Sequence, residues 1–229
     1  MARRKNQDMK MRRRGFTLIE MMVVIGIIGI LAGALAVGFT KWVKSAQRAK
    51  AMEAVSNART ALETLYMRKD NTWPPAILNA TRYNGYHVMD EDVARVLFQN
   101  GLLNVDCKGT TLRGVDRCGI VDPWAQDVLR KADSKLQGSA LLTKEVSSGG
   151  RVQDHWLYFA VDQNEDGFVD STEGAPVRKV RAKVIVWCAG ADGGLGDCKS
   201  DKPKKTTENG RTISNGDNVY SWQRGQEER

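Results

Sequence analysis

The densest ligand chemistry in this chain lies in twelve residues, Asp162-Gln163-Asn164-Glu165-Asp166-Gly167-Phe168-Val169-Asp170-Ser171-Thr172-Glu173. They satisfy the pattern D-x-[DN]-x-[DN]-G-x5-E in full. The spacing has a chemical reason. Asp162, Asn164 and Asp166 can turn side-chain oxygens towards one centre. Gly167 permits a sharp turn, Phe168 offers its carbonyl, Asp170 acts directly or through water, and Glu173 can close the shell with both oxygens. Calcium takes six to eight such oxygens and tolerates irregular geometry. The expected cofactor is therefore Ca2+, in a structural role, since extracellular calcium modules bind only at ~10⁻⁴–10⁻³ M. The alternative is an acidic turn between strands that needs no ion.

No other constellation points to catalysis, and no enzyme is expected. His87 and His155 read as surface or packing histidines. There is no Ser/His/Asp order and no glycine-rich phosphate loop. The basic run Arg178–Lys183 alternates, as the solvated face of a strand does, and Lys202-Pro203-Lys204-Lys205 reads as a hairpin tip. DNA is not expected as a partner. The formal charge of +8 does not argue for one, because residues 1–14 carry seven Lys/Arg and one Asp, which is +6 of that total.

The elements that must position these residues start with a long helix. From Phe16 to Phe39 the only charged residue is Glu20. Twenty-four residues span about 36 Å as a helix, enough for a ~30 Å hydrocarbon core. A carboxylate in such a segment is costly and calls for a partner outside its own helix. The basic residues before it predict an orientation with that end in the cytoplasm and everything after residue 40 outside. Apolar residues then recur every three or four positions, at Trp42, Ala46, Ala49, Val55, Ala58, Leu62 and Leu65, until Pro74-Pro75. This predicts one helix of about 50 residues. The expected division is 1–15 as a leader, 16–40 as the apolar half, 41–72 as the amphipathic half, and 73–229 as a globular domain. Within that domain the pattern predicts a short helix over 90–99, ended by Asn100-Gly101, and strands over 156–161 and 177–187. The calcium loop is thus expected between strands rather than between helices.

Four cysteines, at 107, 118, 188 and 198, fall in the exported part. An even number in an oxidising compartment suggests disulfides. Three connectivities are possible. Cys107–Cys118 and Cys188–Cys198 are favoured because each pair closes a short glycine-containing loop.

The run Arg12-Arg13-Arg14-Gly15-Phe16-Thr17-Leu18-Ile19-Glu20 resembles the prepilin signature of type IV pilins and type II secretion pseudopilins. The resemblance implies cleavage after Gly15 by a prepilin peptidase and methylation of the new N-terminus at Phe16. It also implies assembly through Glu20 pairing with the Phe16 amine of a neighbouring subunit. Leu65–Pro74, Asp122-Pro123-Trp124, Ala189–Gly193 and Gly216–Trp222 look like recurrent segments of major pseudopilins. From that likeness a second, weaker calcium loop is expected at Asp192, Asp217 and Asn218. The implied fold is α+β and pilin-like, a long N-terminal helix packed against a small antiparallel sheet. The implied function is a structural subunit of a type II secretion pseudopilus, with a type IV pilin of adhesion, motility or DNA uptake as the alternative. The implied partners are further copies in a helical homo-oligomer, other pilins, the peptidase and an inner-membrane assembly platform. The implied location is the bacterial inner membrane, single-pass with the C-terminal domain in the periplasm, and then a periplasmic or extracellular filament.

Overall fold

A computed structural model of the chain describes residues 16–103, 120–125, 128, 151–177, 179–195, 205–208, 211–214 and 218–222, without the side chains of 34–40, 152, 153, 208 and 211. Helix α1 runs Leu18–Arg68, matching the expected length. It stops a few residues before the predicted end at 72. Asp70 and Asn71 take positive φ (54° and 58°), the left-handed region that Asp and Asn tolerate better than bulky residues, and Pro74 and Pro75 follow.

The chain divides into two compact units, residues 1–45 and 46–229. In the first, every described side chain from Phe16 to Gly33 is exposed. Among the described residues no helix is long and apolar enough to cross a membrane. The expected span over 16–40 includes positions 34–40, whose side chains lie outside the description.

The second unit is built around five antiparallel strands. These are β1 (Arg82–Tyr83), β2 (Tyr86–Val88), β3 (Tyr158–Val161), β6 (Val184–Cys188) and β9 (Val219–Tyr220), in the order β1-β2-β3-β6-β9. Two smaller ladders stand apart: β4 (Val169–Asp170) with β5 (Lys179–Val180), and β7 (Lys205–Glu208) with β8 (Arg211–Ser214). Among the described residues the unit also holds short helices α2 (Pro75–Leu78) and α3 (Glu91–Gln99). α3 begins where the sequence places it, because the Asp90 carboxylate accepts the Val93 N–H at 3.2 Å as an N-cap. Gly101 at φ 64° follows its last turn.

The central strands are covered on both faces. On one face Phe159, Val161, Val184 and Val186 pack with Ala51, Val55, Ala58, Leu62 and Leu65 of α1 and with Val93 and Leu97 of α3. The α1 residues are spaced by three and four, so they form one stripe. On the other face Tyr158, Ala160, Ile185 and Trp187 pack with Val88, Val180 and Trp222. Each large apolar side chain buried this way contributes roughly 1.5–3 kcal/mol. Double-sided burial is why β3 and β6 read as continuous apolar runs.

Three expectations change. The segment 177–187 is two strands, because bends at 181–183 send Lys179–Val180 to pair with β4 and Val184–Cys188 to the main sheet. The strand expected from Trp156 starts at Tyr158; Trp156 makes only an isolated bridge to Val121. The segment after 76, expected to hold only one short helix, also contributes the β1–β2 hairpin. Its turn is Asn84-Gly85, both at positive φ (53° and 85°). Asn-Gly is the preferred pair for such a two-residue turn.

Candidate functional site

Asp162 is the residue directly after β3, and the strand register fixes what it faces. Val161 pairs with Val184, so Asp162 lies opposite Lys183, and its N–H donates to the Lys183 carbonyl at 3.0 Å. Its own carbonyl accepts the Trp73 indole N–H at 3.0 Å. The Asp162 side chain is 1% exposed. Its Oδ2 accepts the Gly167 N–H at 3.0 Å across the loop and the Lys183 ammonium at 2.7 Å. Its Oδ1 is buried without a hydrogen-bond partner.

The rest of the loop is tightly wound. Asn164 Oδ1 accepts the Asp166 N–H at 3.1 Å, and Asp166 Oδ1 accepts the Phe168 N–H at 2.8 Å. Glu165 and Gly167 hold positive φ (61° and 86°), which explains a glycine at the sixth position. Asp170 caps the short turn Ser171–Glu173, accepting the Thr172 N–H at 2.7 Å and its hydroxyl at 2.6 Å. Those bonds hold the Asp170 carboxyl below the usual carboxylate range. Glu173 reaches back into the loop. Its Oε1 accepts the N–H groups of Gln163 at 2.6 Å and Asn164 at 3.2 Å, and its Oε2 that of Asp170 at 3.3 Å. Burial pushes the Glu173 carboxyl up, the three N–H groups oppose that, and the charge of Asp162 adds to the rise.

All six expected calcium positions therefore share one loop, placed between strands as the sequence implied. In this conformation Glu173 staples the loop through backbone N–H groups, and an ammonium neutralises Asp162. Among the described residues no group of three or more His, Cys, Asp or Glu is gathered as a metal shell. The donor chemistry still suits a hard cation: the oxygens have the calcium spacing, and Oδ1 of the buried Asp162 carboxylate has no hydrogen-bond partner. Lys183 was not legible as part of the site, since its place depends on the β3–β6 register.

The second loop is organised differently. Asp192 accepts the Gly194 N–H at 2.9 Å and the Ser214 N–H at 2.6 Å. Asn218 donates to the Leu195 carbonyl and the Tyr220 hydroxyl, each at 2.9 Å. Asp217 lies outside the described residues, as do Cys107, Cys118, Cys198, Gly15, Lys202 and Lys204. Cys188 is buried at the end of β6. Neither cysteine pairing falls wholly within the described residues. Lys205, expected at a hairpin tip, belongs to β7.

At the start of α1, Glu20 Oε2 accepts both the Thr17 N–H at 2.7 Å and the Thr17 hydroxyl at 2.8 Å, and the Glu20 N–H donates to Thr17 Oγ1 at 3.3 Å. This is a capping box, in which an N-cap hydroxyl and the third helical residue satisfy one another's backbone groups. The carboxylate therefore has a local partner in the single chain. The signal, Thr-x-x-Glu before an apolar run, was present in the sequence.

Both histidines are buried, so packing, not surface, describes them. His87 Nδ1 donates to the Ala80 carbonyl at 2.9 Å and Nε2 accepts from Arg82 at 3.1 Å, which fixes the neutral ring beside Phe159. Burial holds its pKa below the usual value. His155 Nδ1 lies 3.0 and 3.1 Å from the two oxygens of fully buried Asp122. Asp122 Oδ1 also accepts the N–H groups of Trp124 and Ala125 at 3.0 and 3.2 Å. Burial pushes this carboxyl up, against the pull of His155 and those two N–H groups. The Asp-Pro-Trp turn is thus a structural anchor.

Comparison with known proteins places these features in context. Residues 10–36 match the family described as the prokaryotic N-terminal methylation motif. The chain is similar to the fimbrial protein EcpC of Eikenella corrodens, 32% identical over 105 residues, covering 44% of this chain and 67% of that protein. It is 41% identical over 56 residues to the type IV major fimbrial protein FimA of Dichelobacter nodosus, covering 24% of this chain and 36% of that protein. It is 44% identical over 62 residues to the type IV major pilin protein PilA of Myxococcus xanthus, covering 26% and 27%. The chain thus spans about a third of the Dichelobacter protein's length. No solved structure matches it.

Proposed function

This chain belongs to the type IV pilin superfamily, and from that premise we propose that it is a structural subunit of a type IV pilus, not an enzyme. The observation that carries the proposal is the apolar surface of α1. Phe16, Leu18, Ile19 and Ile30 are 80%, 78%, 70% and 75% exposed in the single chain, with Glu20 among them. A contiguous apolar surface of this size needs lipid or other protein to cover it. Before assembly the cover is the inner membrane, with the C-terminal domain in the periplasm. After cleavage at Gly15 by a prepilin peptidase, the cover is the same helix in other copies. Extraction from lipid is then offset by packing helix on helix.

Glu20 gives this transfer its register. In the lone chain the carboxylate is held by Thr17. In the filament the new ammonium of Phe16 on a neighbouring copy is a stronger partner, because both groups are charged. Other pilins and an inner-membrane assembly platform are the further partners. The relatives described as fimbrial proteins and type IV pilins favour a surface pilus over a secretion pseudopilus. The pseudopilus reading keeps the support of the Asp122-Pro123-Trp124 turn. Calcium at Asp162, Asn164, Asp166, Phe168, Asp170 and Glu173 belongs to the proposal as a stabiliser of the periplasmic domain. Bound there, the ion would neutralise Asp162 and Glu173.

Two variants of Glu20 test the assembly step. E20A removes charge and cap, whereas E20Q keeps the capping geometry and removes only charge. Both are expected to insert and to be processed, and both to yield no regular filaments by electron microscopy. Normal filaments from E20Q would falsify the charge-pairing role.

A further inference from the structure

We infer that Lys183 is a built-in counter-cation of the Asp162–Glu173 loop, which holds Asp162 when no metal is bound and competes with calcium for it. The inference rests on the calcium reading given above and adds what sets the affinity of that site.

The geometry makes Asp162 the fixed partner and Lys183 the movable one. Asp162 is held at its N–H by the Lys183 carbonyl, at its carbonyl by Trp73, and at Oδ2 by the Gly167 N–H. The side chain is buried, so its charge needs a neighbouring positive group to neutralise it. The Lys183 ammonium does so at 2.7 Å, on a flexible stem that is 39% exposed. The Tyr66 ring centroid lies 5.9 Å from the same nitrogen, within reach of a cation–π contact if the ammonium leaves Asp162. Only one oxygen of Asp162 is satisfied, and Oδ1 is left buried without a partner. A single ammonium is therefore an incomplete substitute for an ion that several oxygens can share.

A second lysine supplies a control within the same loop. Lys179 lies 3.9 Å from Asp166 Oδ2 and over the Phe168 ring at 3.9 Å. Asp166 is exposed, so that pair faces water and is worth little. Lys183 acts on a buried carboxylate and is worth more. Removing each lysine in turn should therefore give unequal results, although both lie on the same side of the loop in sequence.

The test uses the full-length chain in detergent micelles, with calcium chloride titrated by isothermal calorimetry and melting temperature measured with and without calcium. K183Q is expected to bind calcium about tenfold more tightly than wild type, the fold-change of one charge-assisted hydrogen bond. Its calcium-free form is expected to melt lower, with the gap closing at saturating calcium. K183R keeps the charge and is expected to bind no tighter than wild type, and K179Q is expected to change affinity by less than about threefold. Calcium binding by K183Q and wild type with equal affinity overturns the competition while leaving the calcium site standing. Tighter binding by K183R than by wild type overturns it as well. No heat of binding at millimolar calcium in any variant overturns both the competition and the calcium reading. Binding by K183Q alone, with wild type silent, supports the inference in its strongest form.

Discussion

Replacing Asp122 by alanine should destabilise the unit formed by residues 46–229 more than almost any other single change to a charged residue. The carboxylate is fully buried and serves three donors: His155 Nδ1 at 3.0 Å and the backbone N–H groups of Trp124 and Ala125 at 3.0 and 3.2 Å. Alanine takes this acceptor from His155 Nδ1 and from the Trp124 N–H in a buried site, while the Ala125 N–H keeps the backbone carbonyl of residue 122 at 3.3 Å. Each stranded donor costs about 1–3 kcal/mol, and loss of one partner from a buried ionic pair costs about 3–5 kcal/mol in all. We expect about 3–5 kcal/mol for D122A, a large part of the roughly 5–15 kcal/mol that holds a domain together. For a chain of this length that is a fall in Tm of roughly 6–20 °C. D122N keeps one acceptor oxygen for the two N–H groups and should cost about 1–2 kcal/mol. The assay is urea denaturation of the full chain in detergent, followed by tryptophan fluorescence, with the midpoint moving and the slope unchanged. A double-mutant cycle with H155A should show strong coupling, because the second change removes a donor the first has stranded. A cost for D122A below about 1 kcal/mol, or equal costs for Asn and Ala, would refute the reasoning from buried donors.

Two further outcomes are expected. His87 is buried as the neutral ring with its pKa held below the ordinary 6.5 by burial. The unfolded chain therefore takes up that proton first as pH falls, so the stability His87 confers is complete above about pH 6.5 and is lost as pH drops through the folded value. In H87N, which keeps a donor for the Ala80 carbonyl, the stability lost between pH 7 and pH 5 should shrink, and an unchanged pH profile would contradict the assignment. At Gly194 a Cβ would come within 2.3 Å of Ile213 Cγ2, so G194A should cost about 1–3 kcal/mol, and I213A in the same chain should recover part of it. Equal melting temperatures for G194A and wild type would show that the Ile213 side chain moves aside freely.

Much of this protein was legible locally. The helix α1 came from its apolar spacing and from Pro74-Pro75, α3 from its pattern over 90–99 and its Asn100-Gly101 stop, and the inter-strand loop Asp162–Glu173 from its twelve-residue pattern. The turn Asn84-Gly85 and the capping box of Thr17 with Glu20 carried equally plain signals. A two-residue strand carries too little alternation to mark a hairpin, and an apolar run that continues on both sides of Glu20 gives a cap no boundary to stand out against. Splitting of 177–187 was less accessible: alternation continued through the bend at 181–183, and only the competing partners β4 and β3 divided the segment.

The sequence by itself determined what operates within a few residues along the chain. That covers the prepilin-like start, the long helix, the caps and the order of oxygens from Asp162 to Glu173. Tertiary structure decided which distant groups meet those oxygens. Lys183 reaches Asp162 across 21 positions, and His155 reaches Asp122 across 33. The physical reason is register. An antiparallel ladder fixes its pairs by burying two apolar faces at once, and a slip of one residue would turn every side chain to the other face. Which lysine neutralises a buried aspartate is thus settled by the packing of the whole sheet on α1, information that no short stretch of sequence contains.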